Sequence, residues 1–136
     1  MSEREYEARR ERLRALREAG VDPYPARVGP REAIASVRQR HEERDAAWLE
    51  ENPETVAVAG RLMALRTFGK LLFLELVDDG SRIQVSAREK QMDPGIFAFV
   101  RGLDVGDFVR VEGPVWRTRT GELTVDARSV ELLAKS

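Results

Sequence analysis

The chain has 136 residues, 42% apolar and 35% charged, with a net charge of −1: enough for one packed domain plus an appendage, and too balanced for a protein that coats polyanions by global charge. It has no cysteine and one histidine, His41, which excludes disulfide frameworks and thiolate metal sites and argues against a histidine-based metal or catalytic centre. No apolar run approaches the roughly 20 residues of a membrane span and MSEREYEARR lacks an apolar signal region, so a soluble cytoplasmic protein is the expectation.

Residues 2–19 read as a helix, with Ser2 and Glu5 spaced as a capping box and Gly20 as its stop. Its apolar stripe, Tyr6, Leu13 and Leu16, is thin, so it must pack on another surface. Asp22-Pro23-Tyr24-Pro25 breaks it. A second helix is predicted from about Pro30 to Glu51, ended by Asn52-Pro53, with the stripe Ile34, Val37, His41 and Trp48. His41 in that row is expected to be half-buried on an amphipathic face.

From Thr55 the pattern changes to period two. TVAVAGRLMALR is a strand whose Gly60 invites a bend or bulge. KLLFLELV and SRIQVSA form a hairpin about Asp79-Gly80. Helical spacing over Ile96, Phe97 and Val100 follows, then a fourth strand, DFVRVEGPVW, a turn at Thr120-Gly121 and a fifth strand, ELTVDARSVELL. The fold class expected is mostly β with N-terminal helices: a five-stranded OB-fold Greek-key barrel with one helix between strands 3 and 4. A five-stranded SH3-like barrel competes, but usually lacks a helix there. The predicted domains are a helical extension over 1–54 and the OB-fold over 55–136.

In the hairpin, Leu72, Leu74 and Leu76 share one face with Ile83, Val85 and Ala87. Phe73 falls on the other, among Glu75, Arg82 and Gln84. OB-folds bind oligonucleotides across strands 2 and 3, so an aromatic ring there is a candidate platform for an unpaired base, with cover by the N-terminal helices as the alternative. Gln84 can donate to and accept from a Watson–Crick edge. Arg66, Arg117 and Arg119 can meet phosphate, and Glu122 can accept from a base N–H. Each has a plain alternative, a solvated strand residue or a surface ion pair. No nucleophile elbow, phosphate loop, dinucleotide fingerprint or metal-ligand cluster occurs, so no catalytic residue and no metal site is expected.

RLRALREAGVDPYP, VAVAGRLMALRTFGK, FLELVDDGSRIQV, LDVGDFVRVEGPVWRTRTGELTV and LLAKS together resemble the N-terminal region of class II lysyl-tRNA synthetases, from about Arg12 to Ser136 and weakly over 27–54. Aspartyl- and asparaginyl-tRNA synthetases share the barrel, but the PYP helix and TRTGEL point to lysine. The resemblance implies a domain that reads the U-rich lysine anticodon of a tRNA. Phe73 would stack on an anticodon base, Gln84 of the RIQ motif would read the central uridine, Glu122 of TGEL would take another base, and Arg66 would also touch the anticodon. It implies leading helices near a dimer interface, and no cofactor in this chain, ATP and magnesium serving the full-length enzyme. The family often has an aromatic shortly after RIQ, where Val85-Ser86 stands here. The class II motifs for ATP and lysine are absent, so the chain alone is expected not to aminoacylate, whether it is a part of the enzyme or a free-standing relative. The alternatives are a free-standing OB module for single-stranded nucleic acid, or a module whose Phe73 face meets a protein.

Overall fold

The structure, a computed structural model, describes residues 31–136; the helix expected over 2–19 and the break at 22–25 lie outside them. The element order is α1 (Ile34–His41), α2 (Ala46–Glu51), β1 (Thr55–Phe68), β2 (Leu71–Asp78), β3 (Ser81–Arg88), a short 3-10 turn (Glu89–Gln91), α3 (Pro94–Arg101), β4 (Phe108–Arg117), β5 (Leu123–Asp126) and β6 (Ser129–Ala134). The strands run β1-β2-β3-β5-β4, and β1 pairs with β4 to close a ring of five. β3 and β5 are parallel and the other pairs antiparallel. This is the strand order of the expected OB-fold, with α3 between the third and fourth strands.

Alternation fills the ring. Leu72, Leu74 and Leu76 of β2, Ile83 and Val85 of β3, Val109 and Val111 of β4 and Val125 of β5 are all buried in one cluster, each contributing about 1.5–3 kcal/mol of transfer free energy. α3 packs against β3 and β6 and buries Ile96, Phe97, Phe99 and Val100; Asp93 caps it by accepting from the Gly95 N–H at 2.8 Å, with Pro94 in the first turn. At the β2–β3 turn, Asp79 and Gly80 have φ of 49° and 80°, the left-handed pair that matches the twist of a two-residue hairpin.

Four expectations need correction. The helix predicted from Pro30 to Glu51 is two helices, because Asp45 starts α2 by accepting from the Trp48 N–H at 2.8 Å. The phase therefore shifts: Leu49 joins Ile34 and Val37 in the core, while Trp48 lies outside beneath the Arg44 guanidinium at 4.1 Å. The predicted fifth strand bends between β5 and β6, where the Ala127 N–H turns to Ser86 O and the Arg128 N–H to Glu112 O, each at 2.8 Å. In β1 the extra residue is Met63, not Gly60: the register passes from Leu62↔Leu76 to Ala64↔Glu75.

His41 is buried outright. Its Nδ1–H donates to Val37 O at 2.7 Å, and its Nε2 stands 3.5 Å from Glu54 Oε2. It serves the packing of α1 on the ring.

Candidate functional site

The register sets two rows across the outside of the sheet. One runs Arg66 (β1), Phe73 (β2), Ser86 (β3), Asp126 (β5). The next runs Ala64, Glu75, Gln84, Thr124 and Trp116. A period of two puts these side chains on one face, opposite the packed leucines and valines. Phe73, Gln84 and Arg66 thus lie within two adjacent rows.

Phe73 is half-buried, and the ring of Phe68, 59% exposed at the tip of β1, meets it edge-on with centroids 6.0 Å apart. Gln84 is half-buried, and its Nε2 donates to Thr124 Oγ1 at 3.0 Å. Arg66 and Arg119 are exposed. Glu122 sits just past the Thr118–Gly121 turn. Its Oε1 is shielded from solvent with no hydrogen-bond partner among the described residues, and Arg82 Nη2 is 3.6 Å away. Arg82 also faces Glu75 at 3.5 Å, so the cation lies between the carboxylates of Glu75 and Glu122.

Arg117 stands apart. Its Nε donates to Arg44 O at 2.6 Å, its Nη2 to His41 O at 2.7 Å and its Nη1 to Gly121 O at 2.9 Å. The guanidinium fork thereby ties the end of α1, the α1–α2 loop and the β4–β5 turn together. Beside it a cleft of about 320 Å³ is lined by Arg38, Gln39, Glu42, Arg117 and Leu123. Arg117 holds the turn that carries Arg119 and Glu122.

Several residues of the face escaped the sequence reading. Phe68 had a signal, since it lies two positions from Arg66 and so on its side of the strand. Ser86 accepts from Trp116 Nε1 at 3.0 Å and donates to Asp126 Oδ1 at 2.9 Å. Arg88 lies 4.6 Å over the Trp116 ring and 3.5 Å from Asp126 Oδ1. Ser86, Thr124, Asp126 and Trp116 meet only through the parallel β3–β5 pairing and the β4–β5 pairing, for which short segments carry no signal.

On chemistry, the face offers flat apolar rings, a fixed amide, a carboxylate ion-paired with Arg82 and exposed guanidinium groups. That set suits stacking and edge recognition of unpaired bases beside phosphate. Among the described residues no group of three or more His, Asp or Glu side chains is placed to hold a metal ion, and no helix is long and apolar enough to cross a membrane.

The tRNA anti-codon family model, described as an OB-fold nucleic acid binding domain, matches residues 56–133. The chain is 47% identical over 131 residues to a lysine–tRNA ligase of Magnetococcus marinus, covering 95% of the chain and 26% of the ligase. It is 38% identical to that of Moorella thermoacetica, covering 94% and 25%, and 36% identical to that of Anaeromyxobacter dehalogenans, covering 99% and 26%. The chain thus spans about a quarter of the length of these curated relatives.

Proposed function

The chain belongs to the tRNA anti-codon family of OB-fold nucleic acid binding domains, and from that premise we propose that it reads the U-rich anticodon of lysine tRNA and so supports ATP-dependent attachment of lysine by a catalytic part of a larger enzyme. The observation that carries this reading is the gathering of Phe73, Gln84 and Arg66 on adjacent rows of one outer face, with Glu122 joined to it through Arg82. Phe73, edged by Phe68, stacks on an unpaired base. Gln84 reads the central uridine. The Glu122 carboxylate accepts from an N–H of a neighbouring base, while Arg66 and Arg119 meet phosphate or a base edge. Arg117 contributes by holding the β4–β5 turn. Residues 55–136 form the binding unit, and α1 and α2 pack against its strands.

In this reading the work is cytoplasmic, beside a catalytic part and in a homodimer. ATP and magnesium act in that catalytic part; the described residues provide no donor cluster suited to the ion.

Titration with a lysine-type anticodon stem-loop, and with one whose central uridine is replaced, at fixed salt, tests the reading. Tighter binding of the first is expected. Equal binding would reduce the chain to a free-standing type of single-strand module. Binding of neither would turn the face over to a protein partner.

A further inference from the structure

We propose that Thr124 fixes which way the Gln84 amide faces, and thereby makes the outer face accept uridine over cytidine. The inference rests on the anticodon reading above and names a positioning residue within it. Thr124 Oγ1 lies 3.0 Å from Gln84 Nε2 and 3.0 Å from Glu122 O. A carbonyl oxygen only accepts, so the single hydroxyl proton is given to Glu122 O. Toward Gln84 the hydroxyl then has only lone pairs, and the amide must present its NH2 group. A flipped amide would set Oε1 against those lone pairs and lose the bond. The neighbours do not compete: Trp116, opposite Thr124 on the other side, gives its N–H to Ser86, and Glu75, opposite Gln84, faces Arg82. Thr124 is fully buried, so water does not replace it.

The amide end turned away from Thr124 is therefore Oε1, an acceptor. Uridine carries a proton on N3 and donates to it. Cytidine has a bare N3, whose lone pair would oppose Oε1. Without Thr124 the two amide orientations become nearly equivalent, and either pyrimidine finds a match.

The test uses the chain with Thr124→Val, which keeps the shape and removes the hydroxyl, and Thr124→Ser, which keeps it. Each is titrated with anticodon stem-loops bearing uridine or cytidine at the central position. The unaltered chain should prefer uridine by about ten-fold or more, a typical cost of one mismatched base contact. In Thr124→Val the ratio should fall to about two-fold, mainly by a gain for cytidine, and Thr124→Ser should restore it. Without RNA, the hydrogen-bonded Gln84 side-chain proton should lie downfield in 1H–15N spectra of the unaltered and Ser chains and lose that shift in the Val chain; the same spectra show that the variants are folded. A preference retained by a folded Thr124→Val overturns this inference and leaves the anticodon reading standing. An unaltered chain without preference overturns both.

Discussion

Phe68 and Phe73 form an edge-to-face pair with planes at 71° on the outside of the β1–β2 hairpin. Such a pair is worth about 0.5–1.5 kcal/mol beyond burial, and it restrains the half-buried Phe73 ring on the outer face. Phe73→Ala should weaken anticodon stem-loop binding by about 1–3 kcal/mol. Because the ring is half-buried outside the core cluster, the loss of folding stability should stay near 1 kcal/mol in urea unfolding. Unfolding at several molar less urea would make the ring a core residue and remove it from the binding face.

Gln84→Ala acts differently. The stacking platform and the cations remain, so overall affinity should fall modestly, while discrimination at one anticodon position falls by about ten-fold. Parallel titrations of stem-loops varied at single positions separate the two roles. Uniform weakening for every RNA would contradict edge readout by the amide.

The two arginines of RTRTGE divide between support and contact. Arg117 donates to four backbone carbonyls, those of His41, Glu42, Arg44 and Gly121, and hydrogen bonds to charged groups contribute about 1.5–3 kcal/mol each. Arg117→Ala should cost roughly 2–4 kcal/mol of stability in urea unfolding, and Arg117→Lys should recover only part, since an ammonium lacks the fork. Arg119→Ala should leave stability within about 0.5 kcal/mol and lower the salt slope of RNA binding by about one phosphate contact. A stable Arg117→Ala with a reduced slope would exchange the roles.

That division marks where the sequence stops being informative. The hairpin about Asp79-Gly80, the inward leucines and the outward Phe73 and Gln84 are all read from spacing of two within eighteen residues. The α1–α2 break had a local signal, Asp45 as a cap before Ala-Ala-Trp, but the apolar positions on either side kept a plausible single-helix phase and masked it. Arg117 looks like Arg119 by composition. What separates them is the arrival of His41 O and Arg44 O from more than seventy residues away. Thr124 likewise gains its role only by lying opposite Gln84 in a parallel pairing. Local periodicity fixes which face a side chain takes, and long-range pairing decides what it meets there.

Acid should loosen the junction between the helices and the ring. Arg40 bridges Glu32, by Nη1–Oε2 at 2.6 Å and Nη2–Oε1 at 2.9 Å, and Glu54, by Nε–Oε1 at 2.8 Å. Hydrogen bonds from Arg40 hold the Glu32 carboxyl below its ordinary value of 4.5, with Coulomb attraction to Arg40 adding to them against the opposing effect of burial. A carboxyl lowered in the folded state stabilises fully above its unfolded value and ceases to do so as pH falls through the folded one. The Glu32 side chain is 38% exposed, so screening limits the effect to about 0.5 kcal/mol. The thermal midpoint of Glu32→Gln should lie about 2 °C below that of the unaltered chain at pH 7, and the gap should close below pH 4.5. A gap that is constant down to pH 3 would show that the carboxylate charge does not contribute.

Gly113 is where β4 changes partners. β4 pairs with β6 through Glu112 and with β5 from Val115 onward, so the chain of β5–β6 must bend across β4 between them. A Cβ on Gly113 would stand 1.9 Å from Asp126 O and 2.8 Å from its carbonyl carbon. Both are backbone atoms, held by the Ala127 N–H bond to Ser86 O and the Arg128 N–H bond to Glu112 O, and cannot swing aside as a side chain would. Gly113→Ala should therefore force the two strands apart and cost more than about 3 kcal/mol, above the range of most single substitutions. Because Asp126 accepts from Ser86 beside Phe73, the same displacement should weaken RNA binding in any fraction that still folds. Urea unfolding and stem-loop titration of the variant measure the two effects. A loss below about 1 kcal/mol would mean that the β5–β6 bend sits farther from β4 than the close approach at Gly113 requires.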